Sequence, residues 1–173
     1  MLNTPSIDTI DAKIIELLQK DGRLPYRQIA EALDIPASSA RYRVQRLEEA
    51  GILQIVGIAN PMRIGFDRMA MVGIHTRAGT ARSVCQAVAA LPQTSYVIVT
   101  SGRYDVIVEV ICKDTEDFTR LMHDQLHAID GVLSTESFFV LEVGKLAYGW
   151  GVGNPPMLHD VVSADTAPVG LDE

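Results

Sequence analysis

The chain has 173 residues, with 15 Lys+Arg against 22 Asp+Glu, a formal net charge of −7 and 47% hydrophobic residues. That length suits one medium domain or two small ones, and the composition is that of a packed globular protein rather than a disordered chain. The longest apolar runs fall short of the ~18–20 residues of a membrane helix, and an acidic balance excludes a general nucleic-acid coat. Nothing before Ser6 reads as a secretory leader, and Cys85 and Cys112 lie 27 residues apart without a CxxC spacing. A reduced, cytoplasmic protein with no membrane span, no bound metal and no disulfide framework is therefore expected.

Charge is spread unevenly. Residues 1–60 carry seven Lys/Arg and eight Asp/Glu, whereas residues 61–173 carry eight against fourteen. The first third is thus near neutral and able to meet an anion locally. Its pattern is short and helical. Asp8 predicts an N-cap, Asp11 supports the first turn, and Ile10, Ile14, Leu17 and Leu18 follow at helical spacing as far as Asp21-Gly22. A second helix is expected over Tyr26–Leu33, with Ile29, Ala30 and Leu33 on one side. Asp34-Ile35-Pro36 makes a tight turn whose left-handed position falls on Asp34, a residue type that tolerates positive φ better than most. A third helix over Ala37–Ala50 stops at Gly51, and Gly51–Gly57 is expected as a strand. Helix, helix, tight turn, helix and strand outline a winged helix-turn-helix over residues 1–60.

Pro and Gly cluster from Asn60-Pro61 to Gly65, which predicts a linker over residues 61–68. Strands are expected near Met69–Thr76, Ser95–Ser101, Asp105–Cys112 and Ser134–Lys145. Between them, a helix over Thr80–Leu91 buries Ala81, Val84, Cys85, Val88 and Leu91. Another, capped by Asp114 or Thr115, buries Phe118, Leu121, Met122, Leu126 and Ile129. Gly102-Arg103-Tyr104-Asp105 joins the middle strands as a hairpin. The fold class is therefore α+β: after the helical unit, a ferredoxin-like βαββαβ sandwich over residues 69–146, with helices on one sheet face. The other face must be buried by something, and self-association does so most simply. Residues 147–173, with Trp150 near their start, are expected to form a partly flexible tail.

The third helix carries the chemistry. On a wheel at ~100° per residue with Ser38 as zero, Tyr42 falls near ~40°, Arg46 near ~80°, Ser39 near ~100° and Arg43 near ~140°. Ala40, Val44 and Leu47 form a separate apolar stripe. The helix therefore docks by one side and offers hydroxyls, an aromatic ring and two guanidinium groups on another. Such a face suits a major groove, where serines meet phosphate or base edges and an Arg fork matches guanine O6/N7. Arg41 lies off this face, toward a flanking phosphate, and Arg27 on the preceding helix completes the expected double-stranded-DNA contact set.

These residues resemble those of the Lrp/AsnC (leucine-responsive/asparagine-regulator, feast/famine) family of transcription regulators. The resemblance runs from about Ile7 to Lys145. It is carried by Ile7-Asp8-x-x-Asp11-x-x-Ile14-Ile15, Asp21-Gly22-Arg23, Ala40-x-x-Arg43-Val44-x-Arg46-Leu47-Glu48-x-x-Gly51-Ile52-Leu53, Asn60-Pro61, Ser101-Gly102-Arg103-Tyr104-Asp105 and Asp130-Gly131-Val132. Two positions depart from the family pattern: Pro36 stands where a Ser or Thr usually caps the recognition helix, and Ile55-Val56 stands where Gly-Tyr is frequent. The resemblance implies a DNA-binding unit and a ferredoxin-like effector module, dimers assembling further into octamers, and an amino acid or related metabolite as effector. It also implies an effector site between dimers, which here points to Ser101, Gly102, Tyr104 and Asp105 with Phe138, Phe139 and Val140. Glycine at position 102 lets a ligand approach the backbone, and Asp105 can receive an α-ammonium group.

Other constellations are weaker. His123 and His127 are spaced i, i+4 but no HExxH motif or third ligand accompanies them, so a solvated helix face is expected. His75 is expected to pack or lie at an interface, and Cys85 to belong to the core. No GxSxG, P-loop or GxGxxG motif occurs, so no catalytic residue and no cofactor are expected. The two alternatives on the same fold are an enzyme resembling siroheme decarboxylases, and a ligand-sensing partner that has lost DNA binding.

Overall fold

The computed structural model describes residues 6–144, so the expectations for residues 147–173, Trp150 included, lie outside the described residues. The chain divides into two compact units with a break after Ile58.

The first unit holds three helices. Helix α1 (Thr9–Lys20) starts at a reciprocal cap: the Asp8 carboxylate accepts from Asp11 N–H, and the Asp11 carboxylate accepts from Asp8 N–H. Each carboxylate thus satisfies a donor that the helix start would leave bare. Helices α2 (Tyr26–Leu33) and α3 (Ala37–Glu49) each follow a proline, Pro25 and Pro36, and neither has a side-chain cap. Between them Asp34 takes φ 52° and ψ 49°, the only positive φ at a non-glycine among the described residues. Ile14, Leu18, Ile29, Ala30, Ala40, Val44 and Leu47 form the buried core of this unit. Helix α3 ends at Ala50, and Gly51 follows at φ 67°.

The strand expected over Gly51–Gly57 is not formed among the described residues. Ile52 and Leu53 pack on the helical core, and their N–H groups close the end of α3 on Leu47 O. Beyond them Ile55, Val56 and Ile58 are exposed. A strand alone has no ladder to satisfy its backbone, which is why the β-branched Ile52, Ile55 and Val56 do not form one.

In the second unit Asn60 opens a short 3₁₀ turn over Pro61–Ile64. Strands β1 (Arg68–Thr76), β2 (Thr94–Val99), β3 (Val106–Cys112) and β4 (Val132–Phe139) form one antiparallel sheet in the order β2-β3-β1-β4. Helices α4 (Ala81–Ala89) and α5 (Thr115–Arg120) cover one face. This is the ferredoxin-like arrangement: β2 and β3 are neighbours joined by a hairpin, while helical crossovers connect β1 to β2 and β3 to β4. Ala70, Val72, Ile74, Val106, Val108 and Val110 on the covered face pack with Val84, Val88, Leu121 and Leu126 from the helical side.

The second helix departs from the expected regular form. After Arg120 it continues as a π-helical turn over Leu121–Leu126, closed by His127 N–H donating to Met122 O at 2.9 Å. Bonds over five residues place Leu126 above Leu121, so that Leu121, Met122 and Leu126 are all buried.

Cys112 sits at the end of β3, fully buried, and burial pushes its thiol up to about 11, helped by the nearby charges of Asp117 and Asp114. The thiolate is the nucleophile, so Cys112 is expected to resist a thiol reagent at pH 8 while the partly exposed Cys85 reacts. Mass spectrometry after brief labelling, with and without guanidinium, checks this: one label in the folded protein, two after unfolding.

Among the described residues no helix is long and apolar enough to cross a membrane.

Candidate functional site

Helix α3 is held by its apolar stripe. Ala40, Val44 and Leu47 are buried, while Ser38, Arg41, Tyr42 and Gln45 are exposed and Ser39 half-exposed. Tyr42 is 65% accessible, although it is a large aromatic residue. Arg27 on α2 is also open; its guanidinium meets Glu31 one turn on at 2.9 Å, a surface pair that holds it weakly.

Arg43 and Arg46 lie elsewhere than the helical wheel placed them. Arg43 Nη1 donates to Asp8 at 2.7 Å and to Asp11 at 2.8 Å, and Arg46 Nη2 donates to the second oxygen of Asp11. Asp11 is fully buried, the only buried charged residue of the described chain. The two guanidinium groups therefore close a clamp between α1 and α3. Arg43 is thus turned toward α1, and so is the tip of Arg46, whose side chain stays partly exposed. The wheel failed because it follows Cβ directions, whereas an arginine reaches several ångströms beyond its Cβ to the nearest buried anion. The missed signal was Asp11 itself: it keeps the i, i+3, i+7 register of Ile14 and Leu18, so an acidic side chain sits in the apolar stripe of α1 and must find cations.

The clamp also sets a pH response. The Asp11 N–H and the Arg43 guanidinium hold the Asp8 carboxyl below its ordinary 3.8. Glu16, lowered by Lys20, acts in the same direction. Groups lowered in the folded state give stability that is complete above the ordinary carboxylate value and lost as pH falls through the lower one. The melting temperature of the first unit is expected to be flat above about pH 5 and to fall below about pH 4. Asp8→Asn, which keeps a capping oxygen but cannot ionise, should show a shallower fall in thermal melts across that range.

In the second unit the hairpin between β2 and β3 packs onto the bare sheet face. The Tyr104 ring lies flat on Gly73, whose hypothetical Cβ would stand 2.6 Å from the ring atoms. Its hydroxyl donates to Glu136, which raises the phenol above its ordinary value and keeps it protonated. His75 lies 5.1 Å from the ring centroid, Phe138 meets it edge-on at 6.1 Å, and the Arg103 guanidinium stands 5.5 Å from it. Asp105 partly closes this site on itself: its carboxylate accepts Thr76 N–H at 2.7 Å, pinning the hairpin to the end of β1. Ser101 and Gly102 are exposed at the hairpin tip.

One of the expected strand residues belongs to the other face. Phe139 packs against Phe118 at 4.8 Å, on the helix-covered side, whereas Phe138 faces Tyr104. Successive strand residues alternate, so Phe138, Phe139 and Val140 cannot line one site together. Val140 continues beyond β4, its N–H donating to Met69 O. His75, Glu136, Arg103 and Gly73 join the cluster without having been singled out for it; only register against Tyr104, unavailable before strands are paired, brings them together. His123 and His127 are exposed, with ring centroids 5.6 Å apart, and no cluster of three metal-ligating side chains occurs among the described residues.

A winged helix-turn-helix DNA-binding model matches residues 7–54, and an Lrp/AsnC ligand-binding-domain model matches residues 69–148. The HTH-type transcriptional regulator FL11 of Pyrococcus furiosus is 34% identical over 80% of this chain and 92% of its own length. The chain belongs to the Lrp/AsnC family. FL11 of Pyrococcus abyssi agrees at 31% over 81% of this chain and 93% of its own. Among solved structures, a transcriptional regulator of Neisseria meningitidis in complex with L-Met is 27% identical, with TM-score 0.72, covering 82% of this chain and 94% of that one. Escherichia coli AsnC shares the fold at TM-score 0.73 over 83% of this chain and 97% of its own. This Lrp/AsnC protein is a DNA-binding transcriptional regulator that responds to a small-molecule ligand, and its relatives are regulators rather than enzymes.

Proposed function

We propose that this regulator reads DNA through α3, with Ser38, Ser39 and Tyr42 toward the groove and Arg41 and Arg27 toward phosphates. The observation that carries this is the division of α3: the packed stripe is Ala40, Val44 and Leu47, and the side turned from it is polar and exposed. In the second unit, we propose an amino acid as effector, held at the hairpin by Ser101, Gly102, Tyr104 and Asp105, with Phe138 and Val140 alongside. Arg103 supplies a cation for the α-carboxylate and Asp105 an anion for the α-ammonium, the two charges that every amino acid carries. The bare sheet face, with Met71, Tyr96, Ile98, Ile107 and Phe138 on one side by strand alternation, supports a homodimer that assembles toward an octamer in the cytoplasm.

Two measurements test the reading. Arg41→Ala and Tyr42→Ala should each weaken binding to the chain's own upstream DNA by about tenfold, the scale of one lost charged or aromatic contact. A thermal-shift screen of the amino acids should find one that stabilises the wild type and loses its effect in Arg103→Ala. Unchanged affinity in both α3 variants would remove α3 from the interface, and a hit insensitive to Arg103→Ala would move the effector site elsewhere.

A further inference from the structure

We propose that Asp11 regulates how much positive charge α3 shows to DNA, holding back Arg43 and Arg46 so that Arg41 is the phosphate-facing cation of that helix. The inference rests on the reading of α3 as the helix that meets DNA. Three arginines line α3, and two of them end on carboxylates of α1: Arg43 on Asp8 and Asp11, Arg46 on Asp11. Arg41 is exposed, and among the described residues no ion pair includes it. Asp11 is fully buried and receives Asp8 N–H as well, so both of its oxygens are engaged.

A guanidinium bound to a buried carboxylate is electrically neutralised where it stands. Drawing it out to a phosphate would leave the carboxylate buried without its partner, an exchange that favours the clamp. Only cations that neutralise phosphates release counterions, so the salt dependence of DNA binding counts the free ones. The near-neutral charge of residues 1–60 takes on a purpose in this view: seven cations and eight anions offset each other, and sequence contacts rather than bulk attraction hold the site. Asp11 is therefore a positioning residue. It touches no base, but it limits binding to random duplex and so sharpens discrimination.

The test is the slope of log affinity against log salt, measured by fluorescence anisotropy with the full chain on its upstream DNA and on random duplex. Asp11→Asn frees Arg46 while Arg43 keeps Asp8. The slope per protomer should steepen by about one, and affinity for random duplex should rise severalfold at low salt. A purely structural Asp11 would change stability and leave the slope where it was. Arg41→Ala is the control: its slope should fall by about one, and if it does not, α3 is not the DNA helix and the prior reading fails. If Arg41→Ala lowers the slope and folded Asp11→Asn leaves it unchanged, the proposal alone is overturned. Should Asp11→Asn fail to fold in circular dichroism, Arg43→Gln decides, since Arg46 still pairs Asp11. An unchanged slope supports the proposal, and a fall of about one overturns it.

Discussion

Replacing Gly73 with valine is expected to unseat the Tyr104 ring and destabilise the second unit by about 2–4 kcal/mol, at the upper end of what overpacking costs. Residue 73 is buried in the middle of β1, and a Cβ there would stand 2.6 Å from Cγ and Cδ1 of Tyr104 and 2.7 Å from Cδ2. The ring cannot slide aside, because Tyr104 O and Thr100 Oγ1, the Asp105 N–H to Ile74 O bond at 3.0 Å and the Asp105 carboxylate fix the hairpin backbone from both ends. Expelling the ring also parts its hydroxyl from Glu136. In a domain of this size each kcal/mol moves the midpoint by roughly 4–8 °C, so a fall of at least ~8 °C is expected in a thermal melt. A double-mutant cycle isolates the cause: in a Tyr104→Ala background the valine should cost little. An equal penalty in both backgrounds would show that the sheet, not the ring, rejects the side chain.

Ile29→Ala is expected to abolish DNA binding by unfolding the first unit while the sheet of the second survives. Ile29 is fully buried on α2 between α1 and α3, one of only seven buried apolar residues in that core. Truncating an isoleucine in such a place costs about 2–5 kcal/mol. A unit of roughly fifty residues has only about 3–8 kcal/mol in total, so the loss is comparable with everything that holds it. Circular dichroism should show helical signal lost and strand signal kept, and anisotropy should show no binding up to micromolar protein. A variant that still binds within tenfold of wild type would mean the helices are supported by more than their own core.

Much of this arrangement was legible in periodicity and punctuation. Tyr26–Leu33 is a helix over the residues expected, Asp34 takes the left-handed turn, Asp8 and Asp114 cap their helices, and four strands fall near where β-branched runs lie. Those features are local: a cap, a stripe or a turn is decided within a few residues. What local pattern could not show is partnership across the chain. The ends of Arg43 and Arg46 depend on a carboxylate 32 and 35 residues away. Phe138 and Phe139 part company only once β4 pairs with β1, and the segment over Ile52–Gly57 has strand composition without a strand beside it. The π-turn at Leu121–Leu126 escaped for a further reason: Leu121, Met122 and Leu126 are buried in it as they would be at α-helical spacing, so the hydrophobic pattern does not distinguish the two forms.

Each buried cluster draws its members from a single unit, Ile14 to Leu47 in one and Ala70 to Leu126 in the other. Among the described residues, recombination at the stretch near Ile58 would therefore cut through neither interior. Lineages can exchange one half as a cassette, keeping an operator while acquiring a new metabolite sensor, and a chimera joined there should inherit each parent's behaviour from the half that parent supplied.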